Sequence, residues 1–265
     1  MDFTDKYGIG KYDEMLTKQR RRIVESFCQN APMTIGLKAS FGVGKTATGL
    51  TMVKALHCEA PSGQRPCGLC AACLDVEKRI KGSPSADLSF LSGTIWGGRI
   101  WNSPRLTSAS MDEVEEMLFS YGGAPKVYFF DEFHRASIAV QERFLKILDA
   151  RLRTSMLFAF ATEHEHRITK PLLERFHICH LNPPAAVELI ALVARVCATE
   201  DIEVLAPAAQ MLLVRGSGRN PRLILKALQI LAFDGSPLSE ETVQGALEVL
   251  KTVDNGREKS DEGQL

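Results

Sequence analysis

The chain has 265 residues, of which 45% are hydrophobic and 24% charged. That suffices for a buried core in one domain of ordinary size and a smaller second one. Lys and Arg together number 32, as do Asp and Glu, so the formal net charge is zero. A protein that coats nucleic acid is basic overall; that class is excluded, and any nucleic-acid contact must use a local patch. The charged start, Met1-Asp2-Phe3-Thr4-Asp5-Lys6, lacks the apolar stretch of a signal peptide. No apolar run approaches the ~18 residues needed to span a bilayer. The expectation is a soluble, cytoplasmic protein with no membrane partner.

In chain order, Lys18 to Phe27 places Ile23, Val24 and Phe27 on one side of a helix, with Arg20, Arg21 and Arg22 beside them. Those arginines, with Lys18, could meet DNA phosphates or form a solvated face. Thr34 to Leu37 is a short extended run, followed by a Gly-rich loop and a helix from about Thr46 to Leu56. Gly82 to Ala109 is rich in Gly, Ser, Pro and Trp and reads as loop, with a short strand at Leu88–Leu91. Trp96 and Trp101 within it suit packing or a partner surface better than base stacking. A helix opens at Ser110, where Ser110 and Glu113 have the spacing of a capping box. Val127 to Phe130 is a continuous apolar run of strand formers, which suits a buried parallel strand. Ala139 to Leu148 is helical and Met156 to Ala161 is another buried strand.

Strands alternating with helices predict an α/β fold, a parallel sheet covered on both faces. Beyond Asn182-Pro183-Pro184 only helical periodicity is found, at about 185–199, 205–215, 219–232 and 238–251. The predicted organisation is a nucleotide-binding core over 1–183, a helical domain over 184–252 and a polar, disordered tail over 253–265.

Residues 39–46 read Ala-Ser-Phe-Gly-Val-Gly-Lys-Thr, close to the phosphate-loop pattern G-x-x-x-x-G-K-[ST] between a strand and a helix. The backbone of Ser40, Phe41, Gly42, Val43, Gly44, Lys45, Thr46 and Ala47 would cradle anionic phosphates at the helix N-terminus. Lys45 would neutralise the β- and γ-phosphates, and the Thr46 hydroxyl would bind Mg2+. Ala39 stands where the pattern has glycine, which the chain tolerates if φ stays negative there. Asp131 and Glu132 directly follow the second apolar run. A strand end would let Asp131 hold Mg2+ and Glu132 polarise an attacking water.

Seven cysteines are present, and Cys58, Cys67, Cys70 and Cys73 follow the spacing C-x8-C-x2-C-x2-C. Four thiolates suit a closed, structural, tetrahedral Zn2+ site, and Gly63, Pro66 and Gly68 supply the turns. An iron–sulfur cluster is the alternative, but nothing else in the sequence suggests a redox partner. Cys28, Cys179 and Cys197 are isolated and read as packing residues.

Together, the phosphate loop, the four-cysteine knuckle after its helix and the Asp-Glu strand end resemble one family, the bacterial DNA polymerase III clamp-loader subunits. These are gamma/tau and its relative delta-prime, within the AAA+ ATPases. The resemblance covers roughly residues 8–250. Lys11 to Leu16, through Gln19, looks like the family's N-terminal motif beside the adenine. Ala55-Leu56-His57-Cys58 matches the first zinc ligand, Lys126 to His134 the strand with its D-E-x-H motif, and Phe144 to Leu148 the following helix. The resemblance implies a P-loop AAA+ core with an inserted zinc knuckle over 58–73, then a small all-helical lid. It implies ATP, Mg2+ and Zn2+ as cofactors, and ATP hydrolysis that depends on DNA and on assembly. Implied partners are other AAA+ subunits, in a homo- or hetero-oligomer, and DNA, with a sliding clamp or polymerase as further candidates. By the same match Thr162 is the sensor-1 residue reading the γ-phosphate. Arg175 falls on the arginine that reaches into a neighbouring subunit's ATP site, and Arg219, in Gly216-Ser217-Gly218-Arg219, is the sensor-2 arginine.

The sequence departs from the family in places. Ser-Arg-Cys has become Glu174-Arg175-Phe176, and Glu174 is a candidate partner for the arginine. Glu163 takes the second sensor-1 position, and Arg222 rivals Arg219. The region 92–109 has no counterpart, and no third, collar domain is matched, so the chain reads as a shortened relative. Two other functions stay open: a nucleotide-gated, weakly catalytic structural subunit, and a phage or mobile-element AAA+ regulator of DNA.

Overall fold

The computed structural model describes residues 2–8, 15, 17–82, 98–119, 126–150 and 154–261. Two compact units are present: residues 9–41 with 45–182, and residues 1–8 with 42–44 and 183–265.

The larger unit is built on a five-stranded sheet in the order β2-β3-β4-β1-β5. Its strands are β1 (Thr34–Ala39), β2 (Gly98–Asn102), β3 (Lys126–Asp131), β4 (Thr154–Ala161) and β5 (His177–His180). Every pairing is parallel. Side chains alternate across each strand, and the pattern divides the core in two. Ile35, Leu37, Val127, Phe129, Leu157 and Ala159 face one layer. That layer is supplied by α2 (Lys18–Asn30), α3 (Lys45–Leu56) and α4 (Ala71–Gly82). Tyr128, Phe130, Met156, Phe158 and Phe160 face the other, supplied by α5 (Ser110–Phe119), α6 (Ile138–Asp149) and α7 (Lys170–Leu173). All eight residues of β4 are buried, as a central strand covered on both faces requires.

Glycine is needed where α3 meets the sheet. A Cβ at Gly49 would lie 2.6 Å from the Phe129 ring.

The predicted strand at Leu88–Leu91 lies outside the described residues, as does Trp96. The neighbouring stretch expected to be loop contains β2 instead, and Trp101 is part of it. At the start of α5, the reciprocal cap joins Thr107 to Ser110 rather than Ser110 to Glu113. The Thr107 N–H donates to the Ser110 hydroxyl (2.8 Å) and the Ser110 N–H to the Thr107 hydroxyl (3.2 Å). The turn starts a few residues early, since the Met111 N–H already bonds the Thr107 carbonyl.

The smaller unit is helical, with α8 (Ala186–Thr199), α9 (Pro207–Gly216), α10 (Pro221–Asp234) and α11 (Glu240–Asp261). Leu189, Val193, Val196, Leu213, Ile224, Leu228 and Val243 are buried in it. Asn220 caps α10 by accepting from the Arg222 and Leu223 N–H groups, Pro221 opens the first turn, and Gly235 closes the helix at φ +64°. The N-terminal α1 (Phe3–Gly8) belongs to this unit: the Phe3 N–H donates to Gln229 Oε1 (3.1 Å) and Lys6 pairs with Glu200. α11 runs on to Asp261, into the stretch expected to be without structure. No helix among the described residues is long and apolar enough to cross a membrane.

Candidate nucleotide site and metal centre

Strands β3, β4 and β1 are neighbours in the sheet, so the segments leaving their carboxyl ends lie side by side. In open α/β sheets that edge is where ligands bind. The three segments are the phosphate loop after β1, Asp131-Glu132 after β3 and Thr162 after β4.

Ala39 ends β1 as buried, extended backbone in register with Ala161, so a Cβ is tolerated where the pattern has glycine. The left-handed turns of the loop fall on Gly42 (φ +74°) and Gly44 (φ +104°). Lys45 is buried, and its ammonium donates to the carbonyls of Ala39 (2.9 Å) and Ser40 (3.1 Å). It also lies 5.2 Å from the centre of the Phe41 ring. The Thr46 hydroxyl donates to Asp131 Oδ2 (2.7 Å), and the Glu132 N–H donates to Asp131 Oδ1 (3.0 Å). Burial pushes the Asp131 carboxyl above its ordinary range, while the Thr46 hydroxyl pulls it back. Glu132 adopts φ +53°, a left-handed conformation that is strained for a residue with a Cβ.

Thr162 opens an exposed turn that runs to Arg167. Arg175 is exposed beyond α7, and its Nε and Nη2 donate to the two carboxylate oxygens of Asp149 (2.8 and 3.0 Å). A third bond runs from Nη1 to the Pro171 carbonyl (2.8 Å). The partner is therefore Asp149 on α6, not the adjacent Glu174, because only Asp149 is placed to receive the planar fork. Arg219 (φ +58°) and Arg222 are exposed on the helical unit. Of the N-terminal motif, 11–14 and 16 lie outside the described residues. Gln19 donates to the His180 carbonyl (2.7 Å) and accepts from the Asn182 N–H (3.0 Å), which ties α2 to the exit of β5.

The four cysteine sulfurs all lie within 4.8 Å of one another, near the ~3.8 Å edge of a sulfur tetrahedron around Zn2+. Cys58 Sγ accepts from the N–H groups of Cys67 (3.3 Å) and Ala60 (3.4 Å), and Cys67 Sγ from those of Leu69 and Cys70 (both 3.4 Å). The donors pull the Cys67 thiol down to about 6, whereas burial pushes Cys58 and Cys73 up. The donor set fits a four-thiolate metal such as Zn2+. Cys28, Cys179 and Cys197 pack among apolar residues.

Sequence spacing could not reveal several contacts at this edge. His134, His164 and Phe41 form a ring cluster there; toward the other end of α3, buried Lys54 pairs with Glu77 of α4 (3.0 Å).

The chain is similar to DNA polymerase III subunit gamma/tau. The Mycobacterium tuberculosis protein of that name is 28% identical over 221 residues, covering 80% of this chain and 35% of the relative. DNA polymerase III subunit tau of Bacillus subtilis is 23% identical over 205 residues, covering 76% and 33%. The chain thus spans about a third of the length of these curated relatives. No family model matches it. Among solved structures, the RuvB Holliday junction branch migration motor of Thermotoga maritima is similar in fold. It has a TM-score of 0.55 at 19% identity, covering 91% of this chain and 70% of that one. A P216G mutant of RuvB gives 0.56, again at 19% identity. The fold is that of a P-loop AAA+ core with an inserted four-cysteine knuckle and a helical C-terminal part.

Proposed function

We propose that the chain binds ATP with Mg2+ and hydrolyses it as a clamp-loader-like AAA+ subunit, acting in DNA replication or another DNA transaction. The Thr46–Asp131 hydrogen bond carries this reading, because it joins the phosphate loop to the acidic end of β3. Two oxygens brought together at a phosphate loop are the donor set expected of a Mg2+ site. Thr46 and Asp131 would hold Mg2+, which when bound neutralises phosphate oxygens. Lys45 would exchange its bonds to Ala39 and Ser40 for the β- and γ-phosphates. Glu132 would orient the attacking water, and Thr162 would read the γ-phosphate. Arg175 would leave Asp149 to stabilise charge on ATP held by a neighbouring AAA+ subunit. Arg219 is a further phosphate contact by resemblance. Cys58, Cys67, Cys70 and Cys73 would hold a structural Zn2+. DNA and a sliding clamp or polymerase are the proposed partners, which places the work in the cytoplasm.

The test is steady-state ATP hydrolysis by the purified chain, with and without primed DNA, beside Glu132→Gln and Arg175→Ala. The expected outcome is DNA-stimulated turnover that both variants lose. A second reading, a nucleotide-gated subunit that turns over little by itself, is favoured by the Arg175–Asp149 pair, which occupies the arginine within its own chain. Tight ATP binding without turnover in any condition would select it.

A further inference from the structure

His134 is almost fully buried, with 3% of its surface exposed, and its two ring nitrogens face different groups. The N–H of Ala161, the last residue of β4, donates to Nδ1 (3.4 Å). Nε2 lies 3.6 Å from Glu132 Oε2. A ring nitrogen that accepts a hydrogen bond carries no proton, so the neutral imidazole keeps its proton on Nε2. Burial, followed by His164, Lys45, Arg135 and Arg167, pushes the ring down to about 4, so it is neutral at pH 7. The ring is confined as well: it stacks on His164 at 5.1 Å and meets Phe41 edge-on at 6.2 Å.

We propose that His134 is the positioning residue for Glu132, presenting Nε2–H to the carboxylate and tying its orientation to the end of β4. This rests on the reading of the chain as an ATPase in which Glu132 orients water. One carboxylate oxygen is then steadied by the imidazole, and the other is left to accept from the water. Because Ala161 precedes Thr162, a shift of that strand end on phosphate binding reaches Glu132 through a single ring. His134 touches no reacting atom; it acts through the carboxylate.

Two short amides separate the halves of this link. His134→Asn keeps an acceptor for the Ala161 N–H but falls short of Glu132, whereas His134→Gln keeps a donor at the reach of Nε2. Steady-state ATP hydrolysis and equilibrium ATP binding are measured for the parent and for His134→Ala, Asn and Gln. In the Ala and Asn variants kcat should fall at least about tenfold, and Gln should recover a large part of the loss, with KM and ATP affinity changing by less than about twofold throughout. Ring-nitrogen NMR of the parent at pH 7 should show the Nε2–H tautomer, with that proton's resonance moved by Glu132→Gln. Unchanged turnover in the Asn variant, or an Nδ1–H tautomer in the parent, overturns the role of His134 and leaves hydrolysis standing. A parent that turns over no faster than Glu132→Gln overturns the hydrolysis reading, and the role with it.

Discussion

The guanidinium of Arg175 makes all three of its hydrogen bonds within its own chain, to Asp149 and to the Pro171 carbonyl. An ion pair this exposed is weak enough to be traded for a phosphate, so on the proposed reading Asp149 would compete with a neighbouring subunit's ATP for the arginine. Asp149→Ala should raise ATP turnover a few-fold at limiting subunit concentration, where Arg175→Ala should abolish it. Equal turnover in parent and Asp149→Ala would show that the pair restrains nothing. Thr46 makes a different case, because its hydroxyl both bonds Asp131 and would ligate Mg2+. Thr46→Val should raise the Mg2+ concentration for half-maximal ATP binding about tenfold, as loss of a hydrogen bond to a charged group predicts. Titration of Mg2+ at fixed ATP reads this directly. These pairs were not legible in the sequence. Asp149 and Arg175, or His134 and Ala161, are far apart along the chain, and only the folded sheet edge brings them together.

Among the elements, the legible ones were those with an uninterrupted apolar run or a fixed spacing. β3 and β4 lie in the middle of the sheet, buried on both faces, and their runs of Val, Tyr, Phe, Met and Leu announce it. The two strands that were not read, β2 and β5, are the two edges. An edge strand pairs on one side only and can carry polar residues, and His177-Ile178-Cys179-His180 has exposed ends. The phosphate loop and the knuckle were legible because a turn or a metal fixes each spacing within a few residues. How α3 and α4 join was not. Lys54 is buried on α3 with its ammonium on Glu77 of α4. Removing the acid leaves a buried cation, so Glu77→Ala should cost about 2 kcal/mol, the usual penalty reduced for the part-exposed acid. Lys54→Met, which leaves no buried charge, should cost less. Urea denaturation of both variants tests the ranking, and an equal cost would mean that packing outweighs charge at this junction.

For the molecule as a whole, two histidines shielded from solvent set a pH dependence. Burial pushes His57 and His134 each down to about 4, below the ~6.5 of an unfolded histidine. The folded chain therefore binds fewer protons than the unfolded one between those values. This contribution to stability is complete above about pH 6.5 and is lost as pH falls through about 4. Asp131, raised by burial, works in the opposite sense in acid. A difference between two chains isolates one group: the stability lost in His134→Gln should be greatest at pH 7 and shrink toward pH 4.5, by up to about 1.4 kcal/mol per pH unit. A gap that stays constant over that range would show that His134 titrates like a free imidazole.

Lys45 opens α3, and Cys58 follows shortly after the helix ends at Leu56. A helix of 12 residues is a rod about 18 Å long, with the proposed grip for phosphate at one end and a clasp of sulfur at the other. Gly49 seats the middle of that rod hard against Phe129, so it has little room to bend between the two. Loosening the clasp therefore shows itself at the grip. On the proposed reading, a preparation stripped by a chelating resin, or oxidised during storage, should hold ATP poorly although every residue at the phosphate end is intact.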